Sequence, residues 1–303
     1  MATLLLALLL VLLPTAIAVT TGRRNCTALC GWHEISAVPN EWEPTYISYP
    51  FGIDPECSLP GFNLTCARPG ADDESNNLLL GDPSIRLSPT ILYVDSPFPA
   101  IGVIIGYFVK MTPGDPDYSV YWEAPGRPFA ISGSSNMSLF VVGCGVKASL
   151  FVGNSGVEVG NCSVACARDQ IMERLPEGLC VGIGCCSINI MVDLRAFTIN
   201  ISRTGQAARQ LEQVNAFITN QNGYSFRASD LESDLTGGEP PAAALSWAIP
   251  DQANCKRARN TASYACLSNL SICLEAPIGG YVCNCPEGFY GNPYVINGCL
   301  PRG

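Results

Sequence analysis

Residues 4–13 form an unbroken apolar run, followed by Pro14 and the small-x-small triplet Ala16-Ile17-Ala18. The run is too short to span a bilayer, and the pattern predicts a secretory signal peptide, residues 1–18, cut after Ala18. Further on, stretches rich in branched and aromatic residues predict strands over 85–94, 101–109, 119–122 and 139–142. Pro113-Gly114-Asp115-Pro116 and Pro125-Gly126 punctuate them as turns. The most apolar later stretch, 100–109, contains Gly102 and Gly106 and ends at Lys110, which predicts a buried strand or strand pair. No later stretch reaches the ~20 residues of a membrane helix. Ile188, Ile190, Val192 and Leu194 alternate with more polar positions, and the phase then changes to Phe197, Ile199 and Ile201. That reads as one strand with a bulge near Arg195-Ala196. Spacing by three at Ala208, Leu211 and Val214 predicts a helix over 205–217. Gly237-Gly238-Glu239-Pro240-Pro241 opens a linker, 237–250.

Cysteine changes this picture most. All 16 cysteines lie beyond residue 18, an even number suited to an oxidising compartment. They fall into three groups: Cys26, Cys30, Cys57, Cys66; then Cys144, Cys162, Cys166, Cys180, Cys185, Cys186; then Cys255, Cys266, Cys273, Cys283, Cys285, Cys299. Pairing within the first group allows roughly 3 connectivities and within the second roughly 15, and both stay open. The adjacent Cys185-Cys186 splits its bonds, because neighbours seldom meet each other's bridge geometry. No Cys-x-x-Cys spacing occurs, which argues against thiolate zinc sites. Asn-x-Ser/Thr sequons at Asn25, Asn63, Asn136, Asn161, Asn200 and Asn269 point to a glycosylated surface. The net charge of −9 disfavours nucleic acid and anionic lipid as partners.

Two resemblances organise the chain. Cys283-Asn284-Cys285, with Gly280-Tyr281 before it and Gly288-Phe289-Tyr290-Gly291 after, resembles an epidermal-growth-factor-like module. That resemblance implies the pairs Cys255–Cys273, Cys266–Cys283 and Cys285–Cys299. The frame Cys26, Cys30-Gly31, Tyr49-Pro50-Phe51-Gly52-Ile53, Cys57 and Gly61-Phe62-Asn63-Leu64-Thr65-Cys66 resembles the galacturonan-binding-type domain of plant wall-associated receptor kinases. Gly143-Cys144-Gly145, Gly182-Ile183-Gly184-Cys185-Cys186, Ser246-Trp247-Ala248-Ile249 and Gly291-Asn292-Pro293-Tyr294 agree with it. The expected class is mainly β and disulfide-rich: a cysteine-rich β domain over 19–236, the linker, and a growth-factor-like module over 251–303. Tyr49-Pro50-Phe51-Gly52 is read as core packing beside a disulfide rather than as a ligand contact.

Chemistry is thin by comparison. No Gly-rich nucleotide loop, His-Arg-Asp loop or Asp-Phe-Gly occurs, so the kinase activity of the resembled receptors does not carry over and the chain is read as non-enzymatic. The lone His33, followed by Glu34, lacks the second histidine of a zinc-protease motif and the constellation of a triad. Asp72-Asp73-Glu74 reads as a solvated acidic surface rather than a glycosidase pair. No catalytic residue, metal site or cofactor is expected. Calcium is the ion to weigh: Asp251-Gln252-Ala253-Asn254 precedes Cys255, but Ala253 departs from the calcium-binding pattern.

The resemblance implies a secreted or cell-wall protein contacting pectin. A polyanion needs local cations, and the candidates are Arg23, Arg24, Arg68 and Arg86, with Lys110, Arg127 and Lys147 behind them. Two alternatives stand beside it. One is a truncated receptor at the plasma-membrane surface, without its membrane helix and kinase; the other is a secreted module pairing with receptors or capturing a peptide.

Overall fold

The computed structural model describes residues 26, 29–34, 42–67, 77–81, 90–95, 100–104, 109–111, 114–165, 178, 180–204, 213–231 and 242–302. The signal segment, Arg23, Arg24, Asn25, Arg68, Asp72-Asp73-Glu74, Arg86, Cys166 and the Gly237–Pro241 string lie outside them.

The chain is mainly β. One antiparallel sheet runs in the order Val157–Val164, Val146–Val152, Ala196–Arg203, Asp117–Glu123. Period-two alternation shapes it: Phe197, Ile199 and Ile201 are buried, whereas Asn200 points to solvent. A second sheet runs Cys185–Asn189, Met137–Val142, Val214–Asn220, Val109–Met111. Its middle strand Met137–Val142 is buried on both faces. Leu139 and Val141 join the main core with Val146, Leu150 and Ile199. Phe140 and Val142 join a smaller cluster with Phe217 and Phe226. The third sheet has six strands: Leu64–Ala67, Asn77–Leu80, Thr90–Asp95, Ala100–Ile104, Ala243–Trp247, Phe129–Ala130. Stretch 101–109 thus resolves into parts of two strands in different sheets.

Three expectations meet a different outcome. Residues 188–201 are not one bulged strand. Cys185–Asn189 belongs to the second sheet and Ala196–Arg203 to the first. Between them Met191, Val192 and Asp193 are exposed, and Leu194 exchanges backbone hydrogen bonds with Ile131 at 2.8 and 2.9 Å. The change of phase marks a crossing between sheets. Nor is 213–217 helical: Val214–Asn220 is an inner strand of the second sheet, buried from Val214 to Thr219. The rest of the expected helix, 205–212 with Ala208 and Leu211, lies outside the described residues, so only Val214 of the spacing by three falls in this strand. Within 237–250, read as a linker, Ala243–Trp247 is a strand between Ala100–Ile104 and Phe129–Ala130.

Trp247 ends that strand inside an aromatic cluster. Phe51 and Phe62 lie edge to face with centroids 5.2 Å apart, and Trp247 sits 5.4 and 5.5 Å from them. Phe129 closes the group at 5.6 Å from Phe62. Tyr49-Pro50-Phe51-Gly52 therefore serves packing, as its composition suggests. Gly52 has a separate reason: a Cβ there would come within 2.4 Å of the Cys57 carbonyl oxygen.

The terminal module is built from a one-turn helix, Cys255–Ala258, and the hairpins Ile272–Glu275 with Tyr281–Asn284 and Phe289–Gly291 with Cys299–Pro301. Its disulfides are Cys255–Cys273, Cys266–Cys283 and Cys285–Cys299, the pairs that the growth-factor resemblance implies. In the β domain Cys26 bonds Cys57, Cys30 bonds Cys66, Cys162 bonds Cys186 and Cys180 bonds Cys185, and Cys144 is also disulfide-bonded. The adjacent Cys185 and Cys186 do split.

Phe62→Ala is expected to destabilise the oxidised chain by about 3–5 kcal/mol, the usual cost of removing a fully buried aromatic. Denaturant unfolding measures it, and a loss below ~1 kcal/mol would show that the cluster is dispensable.

Candidate functional site

Past Trp247 the chain passes into the terminal module through a short run of backbone hydrogen bonds. Ala248 N–H donates to the Pro128 carbonyl at 3.0 Å. Ile249 and Tyr281 exchange N–H···O bonds of 2.8 and 3.2 Å, joining the incoming strand to the module's hairpin. Gly280 makes this approach feasible, since its φ is +84° and a Cβ would lie 2.4 Å from the Ile249 carbonyl oxygen. On the other side Asn292 Nδ2 donates to the Tyr49 carbonyl at 2.6 Å, while its Oδ1 accepts from Tyr294 N–H at 2.9 Å. Tyr294 packs on Trp247 at 5.9 Å, and its oxygen accepts the Cys283 N–H at 2.8 Å. The Gly291-Asn292-Pro293-Tyr294 string thereby docks the module.

Arg195 completes the junction. Its Nη1 donates to the carbonyls of Arg127 and Phe129, and its Nη2 donates to the Ile278 carbonyl at 2.8 Å. Beside it opens a cavity of about 300 Å³, walled by Arg127 and Arg195 from the β domain and by Gln252, Ile278, Gly279 and Gly280 from the module. Among the described residues no carboxylate lines it, and neither arginine is joined to an acidic side chain; the Arg195 guanidinium meets only carbonyl dipoles. In a chain with 26 acidic against 17 basic residues, two unneutralised arginines at one cleft form a local anion-attracting spot.

Of the cations singled out from the sequence, Arg127 stands in this cleft and Lys147 is exposed on the outer face of the first sheet. Lys110 sits in the strand Val109–Met111. Arg195 was visible only as the point where alternation breaks, and nothing in the sequence marks it as facing Arg127. His33 is in the strand Leu29–Glu34, opposite Glu43. The oxygens weighed for calcium have other partners: Asp251 accepts from Ser263 at 2.8 Å, and Asn254 caps the short helix through Arg257 N–H at 3.0 Å. Asn63, Asn136, Asn161, Asn200 and Asn269 are all exposed. Asn161 and Asn200 both register with Ser149 across the first sheet, putting two sequons on one face.

Tyr281 lies wholly buried at this junction, its oxygen accepting the Ala265 N–H at 3.0 Å. Burial pushes its phenol up to about 12, against the partly offsetting bond from Ala265. Burial raises Tyr294 as well.

The described residues form a disulfide-linked, mainly β structure that ends in a three-disulfide segment, and its curated relatives are receptor kinases. The chain is similar to Arabidopsis thaliana wall-associated receptor kinase 5 (26% identity over 97% of this chain), receptor kinase 2 (28% over 91%) and receptor kinase 1 (28% over 84%). It spans about a third of their length, 37%, 34% and 33% respectively. No protein-family model matches. A solved chain of infectious bursal disease virus, Gt strain, aligns with a TM-score of only 0.16 at 16% identity over 69% of this chain and 48% of that one. No helix among the described residues is long and apolar enough to cross a membrane.

The tyrosines set a pH dependence. An unfolded phenol ionises near 10 and folded Tyr281 near 12, so the raised value contributes stability that is complete below pH 10 and lost as pH climbs through 12. Unfolding free energy measured across that window should fall, with Tyr281→Phe removing part of the slope. A pH-independent stability from 10 to 12 would contradict the assignment.

Proposed function

We propose that the chain is a non-enzymatic extracellular polysaccharide-binding region that contacts cell-wall pectin, in the manner of a receptor ectodomain. The observation that carries this reading is the bare arginine pair in the cleft between the lobes, in a chain whose relatives are wall-associated receptor kinases. De-esterified galacturonan presents one carboxylate per sugar, and the planar guanidinium fork suits that group better than an ammonium does. The chain's overall negative charge works against a polyanion, so attachment has to be local rather than driven by the whole field. Secretion into an oxidising compartment is part of the same reading, supported by seven disulfides between described residues.

Titration of the secreted chain with de-esterified galacturonan, with methyl-esterified galacturonan and with a neutral glucan tests it, with and without calcium. Tighter binding to the de-esterified polymer, weakened by salt, is expected. Affinity no greater than for the neutral glucan would end the pectin reading. Mass spectrometry of the same material after enzymatic deglycosylation should find modified asparagine at the exposed sequons Asn136, Asn200 and Asn269. Unmodified asparagine at all three would remove the secretory route.

A further inference from the structure

We infer that the cleft walled by Arg127 and Arg195 is a subsite for the carboxylate of a single acidic sugar, and that its occupant ties the two lobes together. The inference rests on the polysaccharide reading for the class of ligand, and on the cleft for its location. Three features define the subsite. The first is charge: two arginines line the space and, among the described residues, no carboxylate does. The second is a division of labour between them. Arg195 is held by carbonyls from both lobes, so its position is set before a ligand arrives, and little ordering entropy remains to be lost. The Arg127 side chain makes no hydrogen bond or ion pair within the described residues and is exposed, so its fork is available to swing onto an incoming carboxylate. The third is size. About 300 Å³ is at the small end of ligand cavities, which run from ~300 to ~1,000 Å³, and suits one ring with the polymer leaving on either side.

The remaining walls fit a sugar. Gln252 offers an amide for ring hydroxyls, and Ile278 with the Gly279-Gly280 turn supplies a flat apolar and backbone surface. Because Arg127 and Arg195 come from the β domain and Gln252 to Gly280 from the module, a ligand touching both sides strengthens a junction that already depends on the Arg195 to Ile278 bond. Binding and lobe docking are thermodynamically linked, and each favours the other.

The test uses the full oxidised chain and a short de-esterified oligogalacturonate, its methyl ester serving as control. Arg127→Ala is the main variant, since that side chain makes no hydrogen bond or ion pair within the described residues and the backbone carbonyl that Arg195 uses is unchanged. Affinity for the oligomer is expected to drop on the order of tenfold in Arg127→Ala and by less in Arg127→Lys, which keeps the charge but not the fork. Alongside, the oligomer should protect Arg127 and Arg195 from a dicarbonyl arginine reagent, read peptide by peptide, and slow amide exchange at 278–281. Wild-type binding that Arg127→Ala leaves unchanged, with both arginines still modified, overturns this inference and leaves the polysaccharide reading standing. No binding of the oligomer or of the polymer by the wild type overturns both.

Discussion

The structure depends on the burial of Trp247 among Phe51, Phe62 and Phe129 on one side and Tyr294 on the other. These five rings come from four parts of the chain. The first disulfide-tied segment contributes Phe51 and Phe62, the six-stranded sheet contributes Phe129 and Trp247, and the module contributes Tyr294. Aromatic pairs at 5–6 Å add ~0.5–1.5 kcal/mol each beyond their buried area. A covalent neighbour turns this into a joint: two residues after Trp247, Ile249 is already paired with Tyr281. Domains joined by polar linkers are expected to move relative to one another. Here a strand, a two-residue bridge and a shared aromatic core replace the linker, and the cleft beside them acquires walls fixed by the fold.

Disulfides do different work in the two lobes. The module has few buried residues, chiefly Tyr281, Val282, Ile278 and Tyr294 besides its half-cystines, and its three bonds substitute for the interior that so short a segment lacks. The β domain does not need that help to the same degree, because Leu139, Val141, Val146, Leu150, Ile199 and Leu245 already form a continuous core. Its Cys162–Cys186 bond has another task. It joins Val157–Val164 to Cys185–Asn189, the edge strands of the two four-stranded sheets. Sheet edges offer unpaired backbone groups that can template association. A bond tying one edge to the other holds both against the body of the protein.

How much was legible from residues alone follows the same division. The terminal module was readable because Cys283-Asn284-Cys285 and the flanking glycines are a local signal, and the growth-factor resemblance they carry implies the pairing. Asp117–Glu123 was readable in its middle, 119–122, through its branched and aromatic residues. Val214–Asn220 was not, because a strand buried on both sides has no polar phase to mark it, and the spacing by three of the preceding Ala208 and Leu211 carried the helix reading into it. The break at Arg195 was seen but misassigned: a phase slip in sequence is equally a bulge or a passage from one sheet to another, and only the pairing of Leu194 with Ile131 separates them. The candidate site fared worst. Arg127 and Arg195 are 68 residues apart in sequence, and their meeting with Ile278 depends on how the module docks, which local patterns do not encode.

Charge is where fold and function bear on each other most directly. A net charge of −9 creates a field that repels acidic polymers at long range. Yet at physiological ionic strength screening acts over ~8 Å, so scattered surface carboxylates count for little inside a cleft that none of them lines. Among the described residues Arg127 and Arg195 line the cleft and no carboxylate does; Asp251, between the lining residues Pro250 and Gln252, accepts a hydrogen bond from Ser263 instead. Arg195 is instead satisfied by carbonyl oxygens, which fill its hydrogen-bonding capacity in part but leave its full positive charge uncancelled. An acidic protein can thus keep one cationic recess, and the recess lies at the joint because backbone carbonyls from two lobes converge there to hold the guanidinium in place.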